Sequence, residues 1–513
     1  MGLELKFGNT EIEISYGTGK KGFYKSNNSF KRKLFKQDVI LFKKIFKNAC
    51  LDKINNYREQ NKELREQTAT QAVNCQKAGD EPYIMPANGH DIYNYVARYG
   101  LGNYQIQAVM KLDGKIDYNK LVKAVRLSVD EEPVFGCRFI ESEPPYWKRL
   151  DNIDQTEFCS FEETSDPDEV VQRFLESPLD MDRDPMVKVK LIRSEPDDTI
   201  CIKINHACCD GTGTKEYIQL ISKIYSFIED DSNIFIPKPK KRSRVDQDRL
   251  FSGMGISDPI AEWVPGSEIT RATWPFPWKQ APQSEENRMM VRRCSREQLD
   301  RIKNYSKYRG VTINDLVLTA YYRAMTKMEK PSYCGNMEIS VTIDLRRYLP
   351  DNKTDAIRNF SGSEITSIDL MPDETFDETL SRIAPVMKKI KENRGGLQSA
   401  IGLERVEKMA LCETLAYYKN VSQWSYCCSN KCAPVLSNLG IIADSLIKFG
   451  KVDVKDLYIV PPVVRPPGLL LMVCTYNGIM TLSAGFYENT VRREDIEKLL
   501  DGIFDELEYG CIR

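Results

Sequence analysis

The chain has 513 residues, enough at roughly 150 residues per domain for about three domains or two large lobes. Hydrophobic residues make up 41% and charged residues 29%, which excludes a collagen-like, low-complexity or globally disordered chain. With 73 Lys+Arg against 74 Asp+Glu the formal net charge is -1, a poor balance for a dedicated nucleic-acid binder.

The first residues, MGLELKFGNTEIEI, lack the apolar stretch of a signal peptide. Lys6 stands where a myristoylation signal needs Ser or Thr, and Cys511 lies one residue too near the end for a prenylation box. The longest apolar run, around Leu469–Cys474, falls far short of the ~18 residues of a spanning helix. The expected localisation is cytoplasmic. The 15 cysteines include no C-x-x-C, and the adjacent pairs Cys208–Cys209 and Cys427–Cys428 fit no common disulfide or zinc spacing. Reduced, mostly buried thiols and no metal site are expected.

Residues 1–70 hold 15 Lys+Arg and 8 Asp+Glu, a local excess of positive charge. Ile12, Ile14 and Tyr16 alternate with Glu11, Glu13 and Ser15, which predicts a short strand. From Phe35 the pattern turns helical, with Leu41 and Ile45 beside Lys43, Lys44 and Lys47. Such a basic amphipathic helix either packs on its own protein or makes a peripheral contact with an anionic membrane. Asn88-Gly89-His90-Asp91 reads as a helix cap rather than a ligand set. Gln105–Leu112 is a predicted strand, and Asp117 caps a helix with apolar Leu121, Ala124, Val125 and Val129. Val134–Ile140 and Val187–Ile192 are further strands. Pro237–Arg244 (PKPKKRSR) reads as a solvated crossover between lobes.

Beyond it, Trp274-Pro275-Phe276-Pro277-Trp278 reads as a packed loop rather than an acceptor pocket. Met289–Cys294 is a strand, Ser295 a cap, and Thr312–Met325 an apolar helix. Met337–Ile343 is a strand and Pro372–Asn393 helical. Leu469–Cys474 and Met480–Tyr487 form a hairpin about Asn477–Gly478. Strands and helices alternate in both halves, so two similar α/β lobes are expected. The division is a basic N-terminal extension at 1–75, a first lobe at 76–245 and a second at 246–513.

Histidine is scarce: His90 and His206 are the two in the chain. Ile200, Ile202 and Ile204 share one face of a strand, and His206 continues their parity at its end. Asp210-Gly211 follow in a turn. A helix then carries Tyr217, Leu220, Ile221, Ile224 and Ile228 on one side. A neutral imidazole at a strand-to-helix junction can take a proton from an alcohol, amine or thiol near neutral pH. With no G-x-S-x-G nucleophile elbow in the chain, the pattern suits a base that activates an incoming acceptor. Cys208 and Cys209, between base and Asp, read as packing.

His206-x-x-x-Asp210-Gly211 resembles the H-x-x-x-D-G motif of the chloramphenicol acetyltransferase-like superfamily, which includes alcohol acetyltransferases and condensation domains of peptide synthetases. Glu132–Phe139 is similar to the superfamily's P-x-L-R-x-R-F strand. Thr342–Arg347 resembles its V-D-x-R segment, Asn359–Gly362 its N-x-x-G, and Ser437-Asn438-Leu439-Gly440 the S-N-x-G of bacterial alcohol acetyltransferase-like members. Condensation domains carry a second histidine where this chain has Asn205, and the D-F-G-W-G of plant members is absent. The resemblance implies an α/β (α+β) fold of two lobes, each a mixed sheet with flanking helices, and a tunnel between them.

The resemblance also implies the roles. His206 is the expected general base. Asp210 is a structural carboxylate, for which Arg138 is the expected partner, and Gly211 allows backbone to approach substrate. Asp344 and Arg346 support the lobe interface. Ser437 or Asn438 is the expected oxyanion donor, a turn or cap being the alternative for both. The activity implied is acyl transfer from acyl-CoA, a co-substrate rather than a bound cofactor, to a small-molecule hydroxyl or amine acceptor. The alternatives are a free-standing condensation enzyme whose donor is a phosphopantetheine thioester on a carrier protein, and a non-catalytic binding protein of the same fold.

Overall fold

The computed structural model describes residues 2–7, 10–15, 84–230, 233–264, 270–279, 286–329, 335–371, 373–426 and 430–511. Residues 1–66 form a unit by themselves, of which an antiparallel hairpin is described: Gly2–Phe7 pairs with Thr10–Ser15, Leu3 opposite Ile14. The basic helix predicted from Phe35 falls outside the described residues.

Residues 67–513 form the second unit, built on two large sheets. In the first, the strand order is Lys448–Phe449, Val452–Val460, Gln105–Leu112, Asp198–Asn205, Val187–Arg193 and Cys159–Glu163. Asp198–Asn205 is its central strand and is buried on both faces, Lys203 included, whose Nζ donates to Phe174 O at 2.6 Å. Residues 448–460, which a division at 245/246 gives to the second lobe, enter this first sheet beside Gln105–Leu112. The exchange ties the two lobes by backbone hydrogen bonds.

The second sheet runs Asn287–Cys294, Ile479–Tyr487, Gly468–Tyr476, Lys431–Ile441, Asn336–Asp344 and Ser361–Asp369. Its Asn477–Gly478 hairpin turn has φ of 47° and 76°, both left-handed, which asparagine and glycine tolerate and a type I′ turn demands. A small sheet of Ile84–Pro86, Tyr146–Arg149 and Cys137–Ile140 flanks the first lobe. The Val134–Ile140 strand starts later than expected because Pro133–Gly136 form a 3-10 turn, Pro133 supplying its fixed φ.

The helices cap as the sequence dictates. Asp117 accepts from Lys120 N, and Leu121, Ala124, Val125 and Val129 go into the core. Ser295 and Gln298 make a capping box for Arg296–Arg309, and Thr312 and Asp315 another for Ile313–Met328. Each sheet has its own apolar core, and a third cluster (Leu250, Phe251, Leu345, Phe360 and Ile401 among its members) lies under the 345–360 loop. Trp274 and Phe276 are fully buried, Trp274 Nε1 donating to Glu338 O at 2.8 Å, so the Pro/Trp motif is packing. No helix among the described residues is long and apolar enough to cross a membrane.

Candidate active site

His206 follows the Asp198–Asn205 strand directly. Asn205 turns the chain: its Oδ1 accepts from Ala207 N at 2.9 Å and its carbonyl from Cys208 N at 2.9 Å. The asparagine that replaces a histidine of condensation domains thus closes an Asx turn behind the imidazole. Tyr104 O accepts from His206 N at 2.9 Å, anchoring the other side. Cys208 and Cys209 point into the core, and burial pushes the Cys209 thiol above its ordinary range.

The imidazole is oriented by Asn359 of the second lobe. Asn359 Nδ2 donates to the carbonyls of His206 at 2.8 Å and Ala207 at 3.0 Å. Carbonyls only accept, so the amide nitrogen must face them and the amide oxygen must face His206 Nδ1, 3.1 Å away. That oxygen accepts, so Nδ1 carries the proton and the neutral ring keeps its lone pair on Nε2. Burial lowers the His206 pKa, against smaller raising effects from its own backbone, Asp210 and Asn359. The ring is therefore neutral at physiological pH, and the residue as a whole is half-buried.

Asp210 is the N-cap of the Gly211–Ile228 helix, accepting from Gly213 N at 2.8 Å. Its partner is Arg346, whose Nη1 and Nη2 reach the carboxylate at 2.9 and 3.2 Å, and Phe360 N adds a fourth bond at 2.7 Å. Burial alone would raise this carboxyl; the guanidinium and the hydrogen bonds overcome it and hold the pKa below the ordinary value. The Arg138 pairing expected from the sequence is incorrect. Arg138 sits on the flanking three-stranded sheet and donates to Arg183 O at 2.7 Å, whereas Arg346 comes from the other lobe, a distance in sequence that no local pattern bridges. Arg346 also bonds Asp344 Oδ1 at 3.2 Å, and Asp344 Oδ2 accepts from Thr212 Oγ1 at 2.9 Å.

A Cβ at Gly211 would lie 2.3 Å from Leu439 Cδ2, so the missing side chain also gives room to the Leu439 side chain of the second lobe. Lys215 Nζ donates to Leu439 O at 3.0 Å on the same helix turn. Asn438 serves a turn, its Oδ1 accepting from Gly440 N at 2.9 Å and its Nδ2 donating to Asn314 Oδ1 at 3.2 Å. Ser437 Oγ accepts from Thr342 Oγ1 at 3.2 Å, which leaves its own O–H to donate elsewhere. His90 is packed into its helix behind Asn88, which is the cap. Burial lowers its pKa to about 4, and its Nε2 donates to Ser361 O at 3.2 Å.

Two residues behind the site escaped the sequence reading. Arg242, in the segment expected to be solvated, is 6% exposed. It donates to the carbonyl of Cys208, to Ile357 O at 2.5 Å and to Asp91 at 3.3 Å. Glu132 accepts from Ile357 N at 3.1 Å, and burial pushes its carboxyl up to about 8. Residues 357–360 of the second lobe are thus held in the first by Glu132, Arg242, His206 and Asp210. The clustered basic letters around Arg242 are a charge-run signal that conceals one buried member.

With the site in place, the chain can be set beside known proteins. Residues 102–343 match a family model described as Condensation domain. Over 189 residues, 36% of this chain, it is 24% identical to surfactin synthase subunit 2 of Bacillus subtilis (strain 168), of whose length the match spans 5%. A trichothecene 15-O-acetyltransferase from Fusarium sporotrichioides superposes with a TM-score of 0.63 at 14% identity, covering 85% of this chain and 96% of that one. The first condensation domain of the CDA synthetase superposes with a TM-score of 0.61 at 12% identity, covering 85% of this chain and 97% of that one.

Proposed function

We propose, for a chain that is a member of the chloramphenicol acetyltransferase-like, condensation-domain superfamily, that it moves an acyl group from a pantetheine thioester directly to a hydroxyl or amine. The observation that carries this reading is the orientation of His206 by Asn359, which leaves an unprotonated Nε2 on a neutral ring. In the proposed step Nε2 takes the proton of the acceptor O–H or N–H as that atom bonds to the thioester carbonyl carbon. The tetrahedral oxyanion collapses, the C–S bond breaks, and the imidazolium returns its proton to the leaving thiolate. A positioned base of this kind contributes about 10²–10⁴ in rate. Ser437 Oγ is the proposed oxyanion donor. Asp210, Arg346 and Asp344 hold the lobes in register and take no proton.

Acyl-CoA is the first donor reading. A thioester on a carrier protein is the second, and the match of residues 102–343 to the condensation-domain model favours it. Thiol release from a panel of acyl-CoAs, and from the same acyl groups loaded on a carrier protein, separates the two. His206→Ala is expected to lose turnover with either donor while keeping the wild-type circular dichroism and melting temperature. Turnover retained by that variant discards the mechanism.

A further inference from the structure

The segment that leads into Arg242 is not evenly solvated. From Ile234 to Lys240 its exposure alternates: Phe235 and Pro237 are half-buried, while Ile234, Ile236, Lys238 and Lys240 are exposed. Phe235 packs against the first lobe's core and meets Phe227 edge-on at 5.8 Å. Its two neighbours are turned outward, Ile234 81% and Ile236 74% exposed. A single exposed aliphatic is ordinary. Two at alternate positions of one segment, with the exposed Phe227 beside them, form a ridge.

The ridge is pinned along its length. Asn233 N donates to Asp230 O at 2.9 Å, and Asn233 Nδ2 to Phe227 O at 3.0 Å. Lys238 N donates to the Glu131 carboxylate, and Lys240 N to Glu131 O at 2.8 Å. Buried Arg242 closes the far end. Little conformational entropy is left to lose when such a ridge is covered.

Cations continue it. Lys238, Lys240 and Lys241 follow the isoleucines, and Lys223 lies one helical turn before Phe227 on the Gly211–Ile228 helix. All four are exposed, and none forms an ion pair among the described residues. Of the nearby acids, Glu131 accepts from Lys238 N and Glu229 from Lys451 N at 3.3 Å, and Asp230 stands at the segment's start.

Two kinds of cover meet obstacles. A partner strand needs backbone donors; Pro237 and Pro239 have none, and Lys238 and Lys240 direct theirs to Glu131. A second copy seated on the same ridge would set lysine against lysine. An anionic lipid surface has neither difficulty. Its headgroups attract the lysines, and its interfacial region gives way around the isoleucines.

We propose that residues 233–241, with Lys223 and Phe227, are a peripheral docking surface for an anionic phospholipid bilayer, Ile234 and Ile236 entering the interfacial region. The proposal is independent of the acyl-transfer reading.

Vesicle sedimentation of the full chain tests it, using phosphatidylcholine with about 30% phosphatidylserine, and phosphatidylcholine alone. Wild type should partition onto the anionic vesicles and much less onto the neutral ones. Ile234→Ser with Ile236→Ser should weaken that partition about tenfold at low and at high salt. Lys238→Gln, Lys240→Gln and Lys241→Gln together should weaken it about a hundredfold at low salt, about fivefold per lysine, and flatten its salt dependence. Residues 1–75 are the same in every variant, so binding through them alone would leave both sets equal to wild type. That result overturns the proposal, as does equal wild-type binding to the two kinds of vesicle. The substituted side chains are exposed, so melting temperature and thiol release should stay at wild-type values. Ile236→Trp should gain fluorescence that brominated lipid quenches; a bound but unquenched variant overturns insertion. Self-association without vesicles that the serine pair abolishes would give the ridge to a second copy, and capture of an acidic protein in preference to vesicles would give it to that partner; either overturns the proposal.

Discussion

Asp210 of the first lobe and Arg346 of the second make a two-point ion pair, at 2.9 and 3.2 Å, in which both side chains are buried. The pair joins the turn after His206 to the loop that delivers Asn359. Breaking it by removing one partner leaves a charge without compensation in the interior, at a cost of about 3–5 kcal/mol. Arg346→Ala is therefore expected to lower the melting temperature by several degrees and to shift the urea midpoint. The Asp210 carboxyl is held below its unfolded value, so its contribution is present above the ordinary carboxylate range and is lost as pH falls through the folded pKa. Wild type should lose more stability on acidification below pH ~4 than Arg346→Ala does. Parallel acid curves for the two would contradict this account.

A second prediction concerns Asn359. Burial lowers the His206 pKa, so the acidic limb of kcat/KM should lie below the ~6.5 of a free imidazole. Asn359→Asp puts an anion against Nδ1, favours the charged ring and should move that limb to higher pH. Asn359→Ala releases the tautomer and should lower kcat about two- to tenfold, since from half to nine-tenths of the rings would present the wrong nitrogen. A pH profile unchanged in Asn359→Asp would show that the amide does not act on the base.

His206, Asp210 and Gly211 were legible because the strand, the turn and the helix that place them are contiguous in sequence. The alternation of Ile200, Ile202 and Ile204 sets the strand, and Asp210 caps the next helix. Partners were not legible where they come from the other lobe. Asn359 and Arg346 lie 153 and 136 residues from the groups they bond, and register between lobes leaves no trace in either segment alone. Arg138 was a plausible partner by charge and failed by position. The entry of Val452–Val460 into the first sheet was equally invisible, since a buried strand has the same apolar pattern in either sheet. Arg242 was hidden by its company: in PKPKKRSR one cation is buried, and composition alone averages it with solvated neighbours.

Arg242 supports a third prediction. Its planar fork reaches the carbonyls of Cys208 and Ile357 and the Asp91 carboxylate together, a geometry that a lysine cannot reproduce. Arg242→Lys keeps the charge and loses at least one of these bonds, each worth about 1.5–3 kcal/mol where a charged group takes part. The loop between His206 and Asp210 should then shift. The expected outcome is a lower melting temperature and a kcat reduced about tenfold with KM nearly unchanged, because the loss falls on the base rather than on binding. Wild-type kcat in a stably folded Arg242→Lys would leave Arg242 with a purely structural part.

The last prediction follows from His90, which stacks on Phe360 at 6.0 Å and donates to Ser361 O, immediately after the segment that carries Asn359. Burial lowers its pKa from 6.5 to about 4, helped by Arg358 and opposed by Asp210, Glu407 and the bond to Ser361. The native protein therefore binds no proton at His90 over a range in which the unfolded chain does. Stability from this group is complete above pH 6.5 and is lost as pH falls from there toward 4, up to about 3 kcal/mol. Glu132, raised to about 8, and Glu216, raised to about 7, pull the other way, since their protonated forms are favoured in the fold. The quantity to measure is thus the difference between wild type and His90→Gln in urea midpoint across pH 4 to 8. Glutamine keeps a donor toward Ser361 O and does not titrate. The variant should be the less stable at pH 7.5 and should close on wild type as pH approaches 4. A difference independent of pH would mean that His90 does not enter the fold as a neutral ring.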